Sequence, residues 1–276
     1  MRSAGRAILL VAWPANLRGP DYPARVSPER CDGILLAAGA GRRYGMPKVL
    51  AEGGAWLRGA VTALRAGGCE RIFVVLGATG PAYRAANGGW LVSQTSGIAI
   101  PEGVQPIWAS DWDEGLSAST RAGLAAAAAP GIGANPTITE TASGTVDPSV
   151  AVRTVAAGNA LPGNSDARTV DDDANRSPAE FVAIMPVDTP DVGPEVVARV
   201  IAAARASESG LARAFFGATP GHPVVLGRQH WAGVRASAEG NSGAGTYLRQ
   251  RADMVCVTCD DLATGIDRDY PAGSAL

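Results

Sequence analysis

Three short, unbroken apolar runs restrict the possible folds of this chain more than any other feature of its sequence. The runs occupy residues 33–38, 71–76 and 181–185. Continuous apolar runs of this length are typical of strands that are buried on both faces of a parallel sheet. Stretches with helical spacing or high alanine content, at residues 56–66, 117–129 and 194–204, alternate with them. The alternation predicts an α/β fold with a doubly wound sheet.

The composition changes along the chain and thereby predicts its domain organisation. The 276 residues, with 46% apolar content, suffice for the core of one large α/β domain, which we place at residues 31–270. Residues 130–178 are rich in Gly, Pro, Thr, Asn, Ser and Asp and have little apolar periodicity, which predicts a flexible surface insertion. We expect residues 1–30 to be a flexible extension and residues 271–276 a C-terminal tail.

Charge, cysteine content and hydropathy argue against several classes of protein. The 24 basic and 26 acidic side chains nearly balance, so the chain has no overall excess of positive charge of the kind that nucleic-acid binding favours. Four scattered cysteines do not resemble the disulfide framework of a small secreted domain. The early apolar run at residues 7–13 is far shorter than the roughly 20 residues of a membrane-spanning helix. We therefore expect a cytoplasmic protein with neither a nucleic-acid nor a membrane partner.

A glycine-rich loop with nearby cations directly follows the first predicted strand. Gly39 and Gly41 allow backbone N–H groups to approach an anion closely, and Arg43 and Lys48 add positive charge. Lys48 is the only lysine among the 24 basic residues, and a planar guanidinium does not replace a compact ammonium group. The loop matches neither the Walker pattern nor the dinucleotide fingerprint. It predicts a phosphate site, and the alternative is a tight turn with one surface lysine.

An acidic residue follows the third apolar run. Asp188 comes shortly after residues 181–185, and ligands of doubly wound sheets bind beyond the carboxyl ends of the strands. We therefore expect Asp188 near the glycine loop, where a carboxylate could help to hold Mg²⁺ beside phosphates. The alternative role of Asp188 is the N-cap of the next helix. For the helix at residues 117–129, Ser117 or Ser119 is the predicted N-cap.

Two further patterns are interpreted as structural. Cys256 and Cys259 have the spacing of a redox or zinc pair. The alternating segment 254–258 predicts a strand, however, and residues three apart in a strand face opposite sides. His230 stands beside Trp231 with no motif around it, so we expect a packing role for its side chain.

The loop at residues 36–48 resembles that of nucleotidyltransferases with a GT-A-like fold. It is most similar to the loop of the molybdenum cofactor cytidylyltransferases, which are MobA-like NTP transferases. Further matching segments follow in chain order, at residues 74–77, 111–124, 186–190, 221–224, 240–244 and 265–267. The resemblance extends over about residues 31–270 and omits the insertion. The chain departs from the family pattern in that Gly265 stands where an aspartate is usual and Asn241 replaces an acid.

The resemblance implies a fold and an activity. The implied fold is the three-layer α/β/α GT-A-like fold of nucleotide-diphospho-sugar transferases, with a mostly parallel twisted sheet. The implied reaction is Mg²⁺-dependent transfer of a nucleoside monophosphate, CMP from CTP above all, to molybdopterin, with release of pyrophosphate. A molybdenum hydroxylase or its maturation factor would then be the protein partner. The alternatives are a guanylyl- or other nucleotidyltransferase that acts on a sugar phosphate or phospholactate, and a non-catalytic nucleotide-binding regulator or cofactor chaperone.

The resemblance also assigns roles to particular residues. Lys48, Arg43 and Asp188 would be catalytic, and Asp188 and Asp267 would bind the metal. His222 would contact the acceptor, and the alternative is that Gly-His-Pro is a turn at the start of a strand. Alanine rather than glycine at Ala38 is associated with cytidine over guanosine. The nucleotide-binding set would be Leu36, Ala37, Ala38, Gly39, Ala40, Gly41, Arg43, Lys48, Gly77, Ser117 and Ser119.

Overall fold

A computed structural model describes residues 29–129 and 178–270 of the chain. The described strands are β1 (Cys31–Leu36), β2 (Ile72–Leu76), β3 (Tyr83–Arg84), β4 (Trp90–Leu91), β5 (Val104–Trp108), β6 (Phe181–Pro186), β7 (Leu211–Phe216), β8 (Thr219–Gly227) and β9 (Val255–Thr258). The described α-helices are α1 (Ala51–Ala66), α2 (Leu116–Ala128), α3 (Pro194–Ala206), α4 (Trp231–Ser237) and α5 (Gly245–Leu248). Short 3₁₀ helices occupy Lys48–Leu50, Trp112–Glu114 and Arg228–His230.

Seven of these strands form one mixed sheet in the order β5-β2-β1-β6-β8-β7-β9, and β3 pairs with β4 in a separate ribbon. The pairs β5–β2, β2–β1, β1–β6 and β7–β9 are parallel, whereas β8 runs antiparallel to both of its neighbours. The mostly parallel sheet confirms the predicted fold class. The carboxyl ends of β1, β2, β5 and β6 therefore lie at one edge of the sheet.

Both faces of the central strands are buried, which explains their unbroken apolar sequences. On one face Leu35, Val74 and Met185 pack with α1 and α3 in the larger core cluster. On the other face Ile34 and Ile184 pack in a second cluster with residues of α2, α4 and α5. The alternation follows from the two-residue period of a strand. The sheet is thus the middle layer of three, as predicted.

Helix α1 has an irregular start that agrees with the predicted beginning at residue 56. Glu52, Gly53 and Gly54 have φ angles of 49°, 60° and 80°, in the left-handed region that interrupts a right-handed helix. The regular part of α1 therefore begins after Gly54 and buries Leu57 and Val61 against the sheet.

The predicted N-cap of α2 is wrong. The cap position is Gly115, at φ 113° and ψ −166°, and no side chain caps the helix. Ser117 and Ser119 lie inside the first turns and are buried. The carbonyl of Gly240 accepts the N–H of Ser117 at 3.0 Å. A distant loop therefore satisfies an amide group that a local side chain was expected to satisfy.

The predicted extension at residues 1–30, insertion at 130–178 and tail at 271–276 lie outside the described residues, except for residues 29, 30 and 178. Across residues 29–129 and 178–270, no helix is both long and apolar enough to cross a membrane.

Candidate functional site

A cavity of about 820 Å³ opens at the carboxyl edge of the sheet. Its lining comes from the ends of β1 and β6 and the segments that follow them, from the turn before α2 and the first turn of that helix, from the loop around Asn241 and from the segment after β9. The lining residues are Leu36, Ala37, Ala38, Gly39, Ala40, Gly41, Arg42, Arg43, Lys48, Trp112, Asp113, Gly115, Leu116, Ser119, Pro186, Val187, Asp188, Asn241, Asp267 and Asp269.

The glycine loop needs glycine at Gly41 for conformational reasons. Gly41 has a φ of 61°, and a β-carbon there would lie 1.8 Å from the carbonyl oxygen of Met46. The same turn is closed by the Gly45 N–H, which donates to the Gly41 carbonyl at 2.8 Å. Gly39 differs, because a β-carbon there would meet no atom within 4 Å. The loop thus holds a fixed turn at Gly41 and leaves open space beside Gly39.

Lys48 is held between two carboxylates that line the cavity with it. Its Nζ lies 2.7 Å from Oδ2 of Asp188 and 2.8 Å from Oδ1 of Asp269. Burial alone would lower the pKa of Lys48, but the hydrogen bonds to Asp188 and Asp269 more than offset this and raise it. The ammonium group is therefore charged at neutral pH, and two of its three N–H donors are engaged.

Asp269 also contacts the second predicted cation. Nη1 of Arg43 lies 2.8 Å from Oδ2 of Asp269, and 69% of the arginine side chain is exposed. The hydrogen bond from Lys48 is the main cause that lowers the pKa of Asp269. One carboxylate thus neutralises part of the charge of both residues that the sequence assigned to phosphate binding.

Two acidic residues at the site have unfavourable environments that a bound cation would stabilise. Oδ1 of Asp188 is buried and has no hydrogen-bond partner in the described part of the chain. The pKa of Asp267 is raised, first by partial burial and then by the negative charge of Asp188. The Arg268 N–H donates to the carbonyl oxygen of Asp188 at 2.9 Å, which connects the two segments directly.

No three His, Cys, Asp or Glu side chains of residues 29–129 and 178–270 are grouped so that they could hold a metal ion together. Mg²⁺ in nucleotide enzymes is commonly bound through one or two carboxylates, with waters and substrate phosphates as its other ligands. Asp188 and Asp267 are compatible with such a site, because Asp188 has an unpartnered buried oxygen and both residues line the same cavity.

The structure brings most of the predicted site residues to this cavity but leaves three outside its lining. Gly77 packs behind the loop, where a β-carbon would lie 2.4 Å from Cβ of Trp112 and 2.7 Å from Cβ of Ala38. Ser117 is 1% exposed and its hydroxyl has no partner among the described residues. The direct ligand contacts assigned to Gly77 and Ser117 remain predictions.

The third residue, His222, lies on β8 beside β6. Its Nδ1 is 3.4 Å from the carbonyl oxygen of Ile184, and the peptide bond to Pro223 is cis. Burial, followed by the positive charge of Arg213, lowers the pKa of His222 to about 4. The imidazole is therefore neutral near pH 7, and its contact with an acceptor also remains a prediction.

The sequence interpretation missed Asp269 as a cavity residue. It gave no individual role to Arg42 or Asp113, although both lie in the matching segments 36–48 and 111–124. The Asp267-Arg-Asp269 spacing was a usable signal, because residues two apart face the same side of an extended segment. Arg42 offered no distinct signal, since it adjoins Arg43 in a chain with many arginines.

Comparisons of the sequence with known proteins match a family domain and a relative. The MobA-like NTP transferase domain matches residues 33–255. A relative, the nicotine blue oxidoreductase of Paenarthrobacter nicotinovorans, is 28% identical over 242 residues, which cover 86% of this chain and 91% of the relative.

Two solved structures share the fold. The homologue of Rv0371c from Mycobacterium sp. strain JC1 has a TM-score of 0.56 and 21% identity, with 87% of this chain and 91% of the other covered. The complex of Rv0371C with manganese from Mycobacterium tuberculosis H37Rv has a TM-score of 0.51 and 18% identity, with 87% and 94% covered. The domain match extends over most of this chain, and the chain therefore belongs to the MobA-like NTP transferase family.

Proposed function

We propose that this protein transfers a nucleoside monophosphate from a nucleoside triphosphate to a phosphorylated small-molecule acceptor and releases pyrophosphate. CTP is the favoured donor and molybdopterin the favoured acceptor, with a molybdenum hydroxylase or its maturation factor as the protein partner. The observation that carries the proposal is the position of Lys48, whose charged Nζ lies 2.7 Å from Asp188 beside a glycine loop with space for a ligand.

The cavity offers suitable groups for a triphosphate. Gly39 and Gly41 line it together with the cationic residues Arg42, Arg43 and Lys48, and the backbone N–H groups of such a loop would favour a bound anion. Lys48 has one N–H donor beyond those that contact Asp188 and Asp269. Arg43, which is largely exposed, can turn towards a ligand at little packing cost.

Asp188 and Asp267 are the residues that would hold Mg²⁺ in this proposal. Their fit rests on the unpartnered Oδ1 of Asp188 and on the raised pKa of Asp267 beside a like charge. When bound, Mg²⁺ would neutralise phosphate oxygens and assist the departure of pyrophosphate. The Rv0371C protein, which has the same fold, was solved in complex with manganese, a metal that can take the place of magnesium in such sites.

The proposed step needs no strong base from the protein. An oxygen of the acceptor phosphate, which is already anionic, forms a bond to the α-phosphorus of the nucleotide. The bond from that phosphorus to the bridging oxygen breaks, and pyrophosphate leaves with the electron pair. Catalysis can therefore rest on positioning and on charge stabilisation. Lys48 and Arg43 would orient the triphosphate, and neutral His222 would contact the acceptor without accepting a proton.

A second candidate activity is an oxidoreductase reaction. It is favoured by the name of the relative from Paenarthrobacter nicotinovorans, which is 28% identical over 242 residues. A cofactor with a nucleotide diphosphate could place its phosphates on the same loop. Such a reaction would not need the unpartnered carboxylate oxygen of Asp188 beside Asp267, and neither would a regulator that only binds a nucleotide. For this reason nucleotidyl transfer is preferred.

The proposed compartment is the cytoplasm. Cys31, Cys69, Cys256 and Cys259 are all free thiols, as is usual in proteins of a reducing compartment.

The deciding experiment is pyrophosphate release by the purified protein with Mg²⁺ and each of CTP, GTP, ATP and UTP, with molybdopterin, a sugar phosphate and phospholactate supplied as acceptors in separate assays. Release with CTP and molybdopterin would support the favoured reaction, and release only with sugar phosphates or phospholactate would identify a sister activity. Asp188→Ala should abolish release, whereas Asp253→Ala, outside the cavity, should not. Oxidation of NADH or NADPH by a dye, without any pyrophosphate release, would favour the second candidate.

A further inference from the structure

Asp191 connects the loop after β6 with the segment that carries Asp267. Its Oδ2 accepts the Thr264 N–H at 2.7 Å, the Thr264 hydroxyl at 2.5 Å and the Gly265 N–H at 3.3 Å. These three contacts span 73 or 74 positions of the sequence. One carboxylate oxygen therefore joins two parts of the chain that local sequence does not relate.

The loop that contains Asp191 is itself well anchored. Val187 and Val192 are buried on either side of it, and the Val192 N–H donates to the carbonyl of Thr189 at 3.1 Å. Asp188 lies in this same loop. The position of Asp191 relative to Asp188 is therefore fixed by core packing.

The 264–269 segment, by contrast, has little packing of its own. It contains no helix or strand, and Ile266 is 61% exposed. Gly265 has a φ of 63° and passes so close to the Phe216 ring that a β-carbon would lie 2.1 Å from it. Because most of this segment is exposed, its path depends largely on polar contacts. The contacts to Asp191 come just before Asp267, and the bond from the Arg268 N–H to the Asp188 carbonyl comes just after it.

We infer that Asp191 is a positioning residue that places Asp267 opposite Asp188, and so sets the geometry of the divalent-cation site. The inference rests on the proposed metal-binding role of Asp188 and Asp267. Asp191 does not line the cavity, and its contacts to this segment are with the N–H groups of Thr264 and Gly265 and with the Thr264 hydroxyl. The hydrogen bonds from Thr264 lower the pKa of Asp191 although burial alone would raise it, so the carboxylate is an ionised acceptor, which strengthens such bonds.

Mn²⁺ serves as the probe of this inference in the full chain, first without nucleotide and then with CTP, because substrate phosphates can supply some of the ligands of the ion. We expect Asp191→Ala to weaken Mn²⁺ binding, followed by electron paramagnetic resonance, by about 10- to 100-fold, as is usual when a residue that orients a metal ligand is removed. Hydrogen–deuterium exchange should become faster in peptides that cover residues 262–270 and stay unchanged in β1 and β6. Asp191→Asn keeps one acceptor oxygen and should give an intermediate affinity.

Asp253→Ala is the matched control, because Asp253 is another exposed, hydrogen-bonded aspartate but lies away from the cavity. It should bind Mn²⁺ as the wild type does. Wild-type affinity in Asp191→Ala would overturn the inference alone. A wild-type protein that binds no Mn²⁺ either with or without CTP would overturn it together with the metal role. Mn²⁺ binding without any nucleotidyl transfer would contradict only the proposed reaction.

Discussion

Lys48 and Asp188 are 140 positions apart in the chain, yet the lysine Nζ lies 2.7 Å from Oδ2 of the aspartate. The contact joins the glycine loop after β1 to the loop after β6. The strands β1 and β6 are parallel neighbours in the sheet. It orients the Asp188 carboxylate so that its other oxygen is buried without a partner in the described part of the chain. The pair therefore couples the proposed phosphate site to the proposed metal site.

Replacement of Lys48 by arginine tests this coupling. A guanidinium keeps the charge but is planar and larger, so it cannot occupy the space between Asp188 and Asp269 in the same geometry. We expect Lys48→Arg to lower kcat/KM for pyrophosphate release by about 100-fold or more, as for the loss of a donor that stabilises transition-state charge. Arg58→Lys, on the exposed side of α1, is the control. Turnover at the wild-type rate in Lys48→Arg would contradict the proposed role.

Replacement of Asp269 by asparagine should strengthen nucleotide binding. The Asp269 carboxylate contacts both Lys48 and Arg43 at 2.8 Å, so it competes with an incoming phosphate for the same cations. Because this residue is about one-third exposed, solvent screens the effect, and we expect a decrease of about threefold in the Kd for CTP. Isothermal titration calorimetry of CTP binding, carried out without metal, measures this Kd in both proteins. Weaker binding in Asp269→Asn would mean that this carboxylate holds the cations in place for the ligand.

His222 should make the stability of the protein depend on acidic pH. Its pKa is about 4 in the folded chain and about 6.5 when unfolded, so the unfolded state binds the proton more readily. Above about pH 6.5 the imidazole is neutral in both states, and the full stability of the folded protein is present. As the pH falls towards 4, protonation of His222 in the unfolded state lowers the free energy of unfolding. At pH 4.5 the loss should amount to roughly 2 to 3 kcal/mol.

Urea unfolding at pH 7 and pH 4.5 provides the measurement. The free energy of unfolding should fall less between the two pH values in His222→Gln than in the wild type. Equal decreases in the two proteins would show that His222 titrates normally in the folded state.

The buried pair of Asp32 and Arg71 should contribute to stability rather than to the reaction. Nη2 and Nε of Arg71 lie 2.6 Å and 3.1 Å from Oδ2 of Asp32, and the two residues are 9% and 1% exposed. Arg71→Leu would leave a buried carboxylate without its partner and should lower the free energy of unfolding by about 3 to 5 kcal/mol. The double variant Asp32→Asn with Arg71→Leu should recover part of this loss. Equal loss in both variants would contradict the explanation.

Local patterns in the sequence predicted a large part of the fold. The central strands were predictable because a strand that is buried on both faces must be apolar throughout, as Ile34, Leu35 and Val74 illustrate. The small ribbon of β3 and β4 and the strand β7 were not predicted. Two-residue strands carry almost no periodic signal.

The candidate site was predictable only in part, because a local pattern reveals only those site residues that are close together in the chain. The loop from Leu36 to Lys48 is contiguous, so its glycines and cations could be recognised together, and the rule for parallel sheets placed Asp188 near it. The contacts assigned to Ser117 and His222 depend on a bound ligand and remain predictions.

The sequence by itself determined the layered α/β architecture, the phosphate-type loop and the family to which the chain belongs, because each is recognised from patterns within short segments and from their order along the chain. Only the tertiary structure decided that Asp269 meets Lys48 across 221 positions and that Asp191 holds Thr264 across 73. Hydrophobic periodicity is a property of a short segment, whereas an ion pair depends on the path of the whole chain between its two partners.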